Sequence, residues 1–202
     1  QLRHYAAQRM EPVTLRETDA VRIIEHRTPL GVVAAITPWN FPFMMVTQKM
    51  GPALVAGNSV VVKPAPTTPM CALKIAELAA NIFPAGVVNV IVDNNDLGAA
   101  LSSHPDVAKV SFTGSTGTGR KIFAAGADDL KRITLELGGN DAAIVLDDVD
   151  PKAVASKLFN GAMVNAGQVC LAIKRVYAHA SIYDEICDEL GVLAENAVVD
   201  DG

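Results

Sequence analysis

Cysteine is scarce in this sequence. Its three copies, Cys71, Cys170 and Cys187, are an odd number with no CxxC and no histidine pairing, so they provide neither a disulfide framework nor a zinc site. A reducing compartment fits such usage. Aromatic residues are only 5% of the 202, and charged residues only 19%, with no run of like charge. A net charge of −5 without a basic patch removes the electrostatic footprint that nucleic acid or an anionic membrane would need. No apolar stretch approaches the roughly 18 uninterrupted residues of a spanning helix, and the opening Gln1-Leu2-Arg3-His4-Tyr5 lacks signal-peptide organisation. The expectation is a soluble, cytoplasmic protein with no nucleic-acid and no membrane partner.

Half of the residues are hydrophobic, and with aromatics so few the apolar content is carried by Ala, Val, Ile and Leu, the profile of a buried parallel sheet. Short β-branched runs at 31–37, 59–63, 87–92, 107–112, 133–137, 142–146 and 175–179 alternate with helical-period stretches at 44–56, 69–82, 96–103, 115–126, 151–165 and 181–197. This is the rhythm of repeated βα units, an α/β chain with a parallel sheet. Pro69 and Pro151 suit a first helical turn, and Thr68 and Asp150 before them suit N-caps. Residues 1–29 differ: a short helical piece ends near Met10, then 13–18 and 20–27 read as a polar strand pair without a core of its own. A boundary is expected at Gly138-Gly139-Asn140, after which the rhythm continues for only two strands and two helices. With a first residue other than Met, the chain reads as a piece of a longer one.

Four segments carry candidate chemistry. Val110-Ser111-Phe112-Thr113-Gly114-Ser115-Thr116-Gly117-Thr118-Gly119 is a strand ending in a glycine-rich turn that opens a helix, which presents backbone amides and the positive helix end to a phosphate. Its spacing is not the G-x-G-x-x-G fingerprint, and a plain tight turn also accounts for it. Thr37-Pro38-Trp39-Asn40-Phe41-Pro42 is a rigid turn beyond a strand, where the Asn40 amide could donate to a ligand oxygen or could simply cap the next helix. Glu136 closes a strand as a base or as a surface carboxylate. Cys170 follows Gly167-Gln168-Val169, where backbone can approach a substrate closely, whereas Cys71 and Cys187 sit in amphipathic helices as small apolar residues.

Taken together, Pro38-Trp39-Asn40-Phe41-Pro42, Lys63-Pro64-Ala65, Phe112-Thr113-Gly114-Ser115-Thr116 with Gly119, Leu135-Glu136-Leu137-Gly138-Gly139 and Gly167-Gln168-Val169-Cys170 resemble the signature segments of the aldehyde dehydrogenases, in that family's order and at its spacing. The resemblance implies a Rossmann-like parallel-sheet cofactor domain plus the beginning of a second α/β catalytic domain. Residues 1–29 would then be the end of an N-terminal helix and part of an oligomerisation hairpin, 30–138 an NAD(P)-binding domain, and 139–202 the incomplete start of the catalytic domain.

By that resemblance Cys170 is the nucleophile that forms a thiohemiacetal and then a thioester, Asn40 with the Cys170 amide forms the oxyanion hole, and Glu136 activates the hydrolytic water. Ser115, Gly114 and Thr118 would hold the cofactor pyrophosphate, Lys63 the adenosine ribose, and Ile36, Thr37, Pro38, Trp39, Gly98, Leu137 and Gly138 would line the cofactor cleft. Phe41, Met44, Met45 and Gln48 fall where the family builds its substrate tunnel. No metal is implied. Many NAD-preferring members carry a Glu three residues after the lysine; here that position is Pro66, so dual use of NAD and NADP is expected. The partner is a small-molecule aldehyde, and the full-length parent is expected to be a homodimer or homotetramer, with this chain alone inactive. Two other readings stay open, a non-catalytic nucleotide-binding fragment and a cysteine-dependent esterase.

Overall fold

In the computed structural model, which describes residues 2–8 and 10–200, every β-branched run above becomes a strand and every helical stretch a helix. In chain order these are α1 (Leu2–Ala6), β1 (Val13–Glu17), β2 (Arg22–Glu25), β3 (Val32–Ile36), α2 (Pro42–Val55), β4 (Ser59–Lys63), α3 (Met70–Ala79), β5 (Val88–Val90), α4 (Leu97–Ser103), β6 (Val107–Thr113), α5 (Thr116–Ala125), β7 (Arg132–Glu136), β8 (Asp141–Val145), α6 (Pro151–Met163), β9 (Ile173–Ala178) and α7 (Tyr183–Glu195), with a 3₁₀ turn at Val164–Gly167. They fall into two compact units, one ending at Leu137 and one beginning at Gly138. Gln1, Arg9, Asp201 and Gly202, the outer limits of the expected first and last domains among them, lie outside the described residues.

The first unit is built on a five-stranded sheet of order β5-β4-β3-β6-β7, parallel at every pairing. Alternation along β3 sends Ala35 to one face, with Val60, Val62 and the α2 and α3 residues Val46, Met50 and Ile75; Ala34 and Ile36 go to the other, with Val110, Phe112 and Ile122. Helices cover both faces, which is why the strands read as continuous apolar runs. From β3 the chain steps outward through β4 and β5, then crosses back to lay β6 on the opposite side of β3. That reversal opens a crevice beyond the carboxyl ends of β3 and β6.

β1 and β2 form a separate antiparallel ribbon with a register shift between Thr14 and Arg16. Every β1 side chain is exposed, and the ribbon's ion pairs, Arg22 with Glu17 at 3.4 Å and Arg27 with Glu25 at 2.6 Å, are solvated and contribute little. The second unit pairs β8 with β9 in parallel, and α6 and α7 close its core around Val145, Leu158 and Ile186. Among the described residues no helix is long and apolar enough to cross a membrane.

The two expected caps behave differently. Asp150 accepts from the amides of Lys152 and Ala153 at 3.1 and 3.5 Å and starts α6. Thr68 does not cap: α3 begins at Met70, one residue later than expected, so Pro69 takes the cap position and the buried Thr68 hydroxyl has no partner among the described residues.

Entry into the central strand depends on one side chain. The Asn58 Oδ1 accepts from the amides of Leu30 and Gly31 at 2.6 and 3.1 Å, while its Nδ2 donates to the Ala53 carbonyl at 3.0 Å. Asn58→Ala strands those groups in a site where Asn58 is 7% exposed, and is expected to lower unfolding free energy by about 2 kcal/mol in urea titration.

Candidate functional site

The crevice at the strand-order reversal is a cleft of about 670 Å³. Ile36, Thr37, Pro38 and Trp39 enter it from the end of β3, and Lys63 from the end of β4. Thr37 is held in place by its amide, which donates to the Lys63 carbonyl at 3.0 Å. Its hydroxyl is buried with no partner among the described residues. Gly114, Ser115 and Thr118 supply the wall beyond β6, and Gly98 on α4 lies against the Lys63 stem, where a Cβ would meet Cε at 3.6 Å.

Backbone geometry explains the glycines of the loop. A Cβ on Gly114 would sit 2.5 Å from Phe112 Cζ, and one on Gly119 would sit 2.7 Å from Leu137 Cδ2, so any other residue would have to push these side chains aside. Leu137 therefore packs on α5 and is not among the cleft-lining residues, while Gly138 opens the second unit. Ser115 is the N-cap of α5: its Oγ accepts from the Thr118 amide at 3.2 Å and donates to Thr118 Oγ1 at 3.0 Å. The cap fixes the helix start, whose first amides have no intrahelical acceptor and suit an anion.

Lys63 has a partner that the sequence reading missed. Its Nζ lies 2.7 Å from Asp93 Oδ1, with side-chain exposures of 5% and 0%. Asp93 Oδ2 also accepts from the Leu97 amide at 2.9 Å, at the start of α4. Desolvation pushes the Asp93 carboxyl up, but hydrogen bonds from Lys63 and from the Leu97 and Asn95 amides outweigh it and hold its pKa below the ordinary value. The available signal was the acidic turn Asp93-Asn94-Asn95-Asp96 directly after the third strand of the sheet.

A second, polar cleft of about 500 Å³ is lined by Gln48 and Lys49 of α2, Lys109 and Ser111 of β6, and Glu136 of β7. Glu136 is exposed there. Lys49 is 8% exposed and donates to Ser111 Oγ at 3.2 Å. Burial lowers its pKa to about 8, partly opposed by Glu136 and reinforced by Lys109. Nothing but its place inside an apolar helical run marks Lys49 in the sequence. Asn40 is half-buried and does not cap α2: the cap position falls on Phe41 and makes no side-chain hydrogen bond. Of the remaining α2 residues Met45 is buried in the protein and Met44 is exposed.

In the second unit Cys170 is half-buried in the turn before β9. The preceding Asn165, Ala166 and Gly167 all have positive φ, at 52°, 54° and 74°, a strained run for two non-glycine residues. Lys174 braces the turn by donating to the Val169 and Ala172 carbonyls at 2.9 and 3.3 Å, and a Cβ on Gly139 would collide with the Cys170 carbonyl oxygen. Of the candidate site residues, Ile36 to Trp39, Lys63, Gly98, Gly114, Ser115 and Thr118 share one cleft, Gln48 and Glu136 share the polar cleft, and Cys170 sits in its own turn, while Asn40, Phe41, Met44, Met45, Leu137 and Gly138 line neither cleft.

The buried lysine gives stability a pH dependence. The folded chain holds the Lys49 proton only to about pH 8 and the unfolded chain to the ordinary 10.5, so unfolding takes up a proton between those values and stability rises with pH across that window. Lys49→Met removes the cost of burying the charge; it is expected to add about 2 kcal/mol at neutral pH and to flatten the rise, read by urea titration at pH values on either side of the window.

Residues 2–202 match the model of the aldehyde dehydrogenase family. Phenylacetaldehyde dehydrogenase of Pseudomonas fluorescens is 49% identical over 183 residues, which are 90% of this chain and 36% of that protein. Among solved structures, an E. coli NADP-dependent enzyme superposes with a TM-score of 0.89 at 42% identity, over 95% of this chain and 40% of that one. PnpE in complex with nicotinamide adenine dinucleotide gives 0.87 at 43% identity, over 92% and 39%. The chain spans about two fifths of the length of these relatives, and its fold is the corresponding part of theirs. A parallel sheet with a loop-lined cleft at its strand reversal, a match along the whole described chain and close superposition agree: the chain belongs to the aldehyde dehydrogenase family.

Proposed function

We propose that this chain supplies the cofactor site and the reacting side chains for NAD(P)-dependent oxidation of an aldehyde to a carboxylic acid, in a protein of its relatives' length. The observation that carries the reading is the cleft at the strand reversal, where Thr37, Lys63 and Ser115 come together from three strand ends. Its size suits a small-molecule ligand, and the buried, unpartnered Thr37 hydroxyl is a polar atom that such a ligand would satisfy. Ser115 and the amides at the start of α5 hold the pyrophosphate, and Lys63 donates to the ribose hydroxyls. Bound there, the nicotinamide supplies the hydride acceptor.

The chain's own residues do the rest. The Cys170 thiolate adds to the aldehyde carbon, giving a thiohemiacetal, and loss of hydride from that carbon leaves a thioester on sulfur. Asn40 donates to the oxygen that gains charge during addition. Glu136 takes the proton of the water that cleaves the thioester, which releases the acid and restores the thiol. Phe41, Met44, Met45 and Gln48 contribute apolar bulk and one amide to the substrate passage, favouring an uncharged aldehyde. Residues 30–138 act as the cofactor domain, 139–202 as the start of the catalytic domain, and 1–29 as part of an oligomerisation segment. Pro66 lines the cleft without a carboxylate, which supports use of both NAD and NADP, as does the presence of an NADP-dependent enzyme and an NAD complex among the structural relatives.

Two variants of the full-length protein test the chemistry by absorbance of the reduced cofactor. Cys170→Ala is expected to lower turnover by about 10³-fold or more, and unchanged turnover would remove Cys170 as nucleophile. Glu136→Gln is expected to allow one round of hydride transfer per site and then stall; an undiminished steady-state rate would remove Glu136 as the base.

A further inference from the structure

The cleft's principal lysine is not a free cation. Lys63 Nζ is committed to Asp93 Oδ1 at 2.7 Å, and both side chains are almost wholly enclosed, so solvent and salt screen the pair weakly. Asp93 cannot turn away, because its second oxygen accepts the Leu97 amide at the start of α4. Pro66, three residues beyond Lys63, brings no charge. The other lysine lining the cleft, Lys121, is exposed on α5, where water weakens its pull on an anion.

We propose that Asp93 is a positioning residue that weakens the cleft's hold on NADP relative to NAD without excluding it, acting through its buried ion pair with Lys63. This rests on the dinucleotide reading above. Lys63 Nζ also donates to the Pro64 carbonyl at 3.4 Å, and its third ammonium hydrogen can still donate to a neutral ribose hydroxyl, so NAD keeps its contact. A 2′-phosphate instead meets a lysine whose charge is already balanced, with a fixed carboxylate directly behind it, and gains little attraction. Asp93 thus does, from behind the lysine, the discriminating work for which Pro66 has no group.

Titration calorimetry of the full-length protein at low salt, with NAD and with NADP, tests this. The unaltered protein is expected to bind NAD more tightly. Asp93→Asn keeps an oxygen for the Leu97 amide but frees the lysine charge, and is expected to raise the affinity for NADP relative to NAD on the order of tenfold. Asp93→Glu, which keeps the charge, is expected to retain the original ratio. Asp93→Ser, also able to accept from the Leu97 amide, repeats the first change should the Asn variant not fold. Equal affinities in the unaltered protein, or a ratio that does not move on loss of the charge, overturn the role of Asp93 and leave the dinucleotide site standing. An unaltered, folded protein that binds neither cofactor overturns the site and the role of Asp93 together.

Discussion

The parallel pairing of β3 with β4 on one side and β6 on the other is the constraint on which the first unit depends. Ala34 and Ala35 are fully buried, one on each face, and their small side chains let helices approach the sheet from both directions. Because the chain leaves β3 toward β4 and returns to its opposite side at β6, the connections after these strands diverge, and the gap between them is where Thr37 and Ser115 face a common space. The cleft is thus a product of strand order, and the side chains in it only give it a chemical character.

Two buried lysines in the same unit show how differently a cation can be accommodated. Lys63 is neutralised at short range by Asp93, which is itself held by a helix start. Lys49 has a neutral hydroxyl as its hydrogen-bond acceptor and only the more distant field of Glu136, so burial prevails and its proton is held weakly. A paired lysine is a fixed element of a binding wall, whereas one that titrates near neutrality makes its surroundings sensitive to pH.

Much of this was legible in the sequence, for identifiable reasons. β-branched runs in helical surroundings are the direct imprint of a sheet covered on both faces, so strands such as 59–63 could be read to the residue. The glycine-rich loop was legible because its glycines answer contacts nearby in the chain, Gly114 with Phe112 above all. Asp93 was not, because its partner lies on another strand and a turn rich in Asp and Asn reads as ordinary solvated loop. Lys49 was hidden by the opposite effect, since a lysine in a helix is assigned to the surface unless the facing sheet is known. Asn40 and Thr68 stand as reminders that cap position shifts by a residue when proline enters: α2 and α3 each begin beside a proline, and neither uses the side chain that the pattern suggested.

The contact between Gly114 and Phe112 has an evolutionary side. The ring of the strand's penultimate residue occupies the space into which any side chain two positions later would grow. A larger residue at 114 therefore has to displace the Phe112 ring, and shrinking 112 to make room empties part of the core shared with Ala34, Val110 and Ile122. Drift at the two positions is coupled and each single step is disfavoured, so lineages that share this fold should keep the pair unchanged or replace both members together.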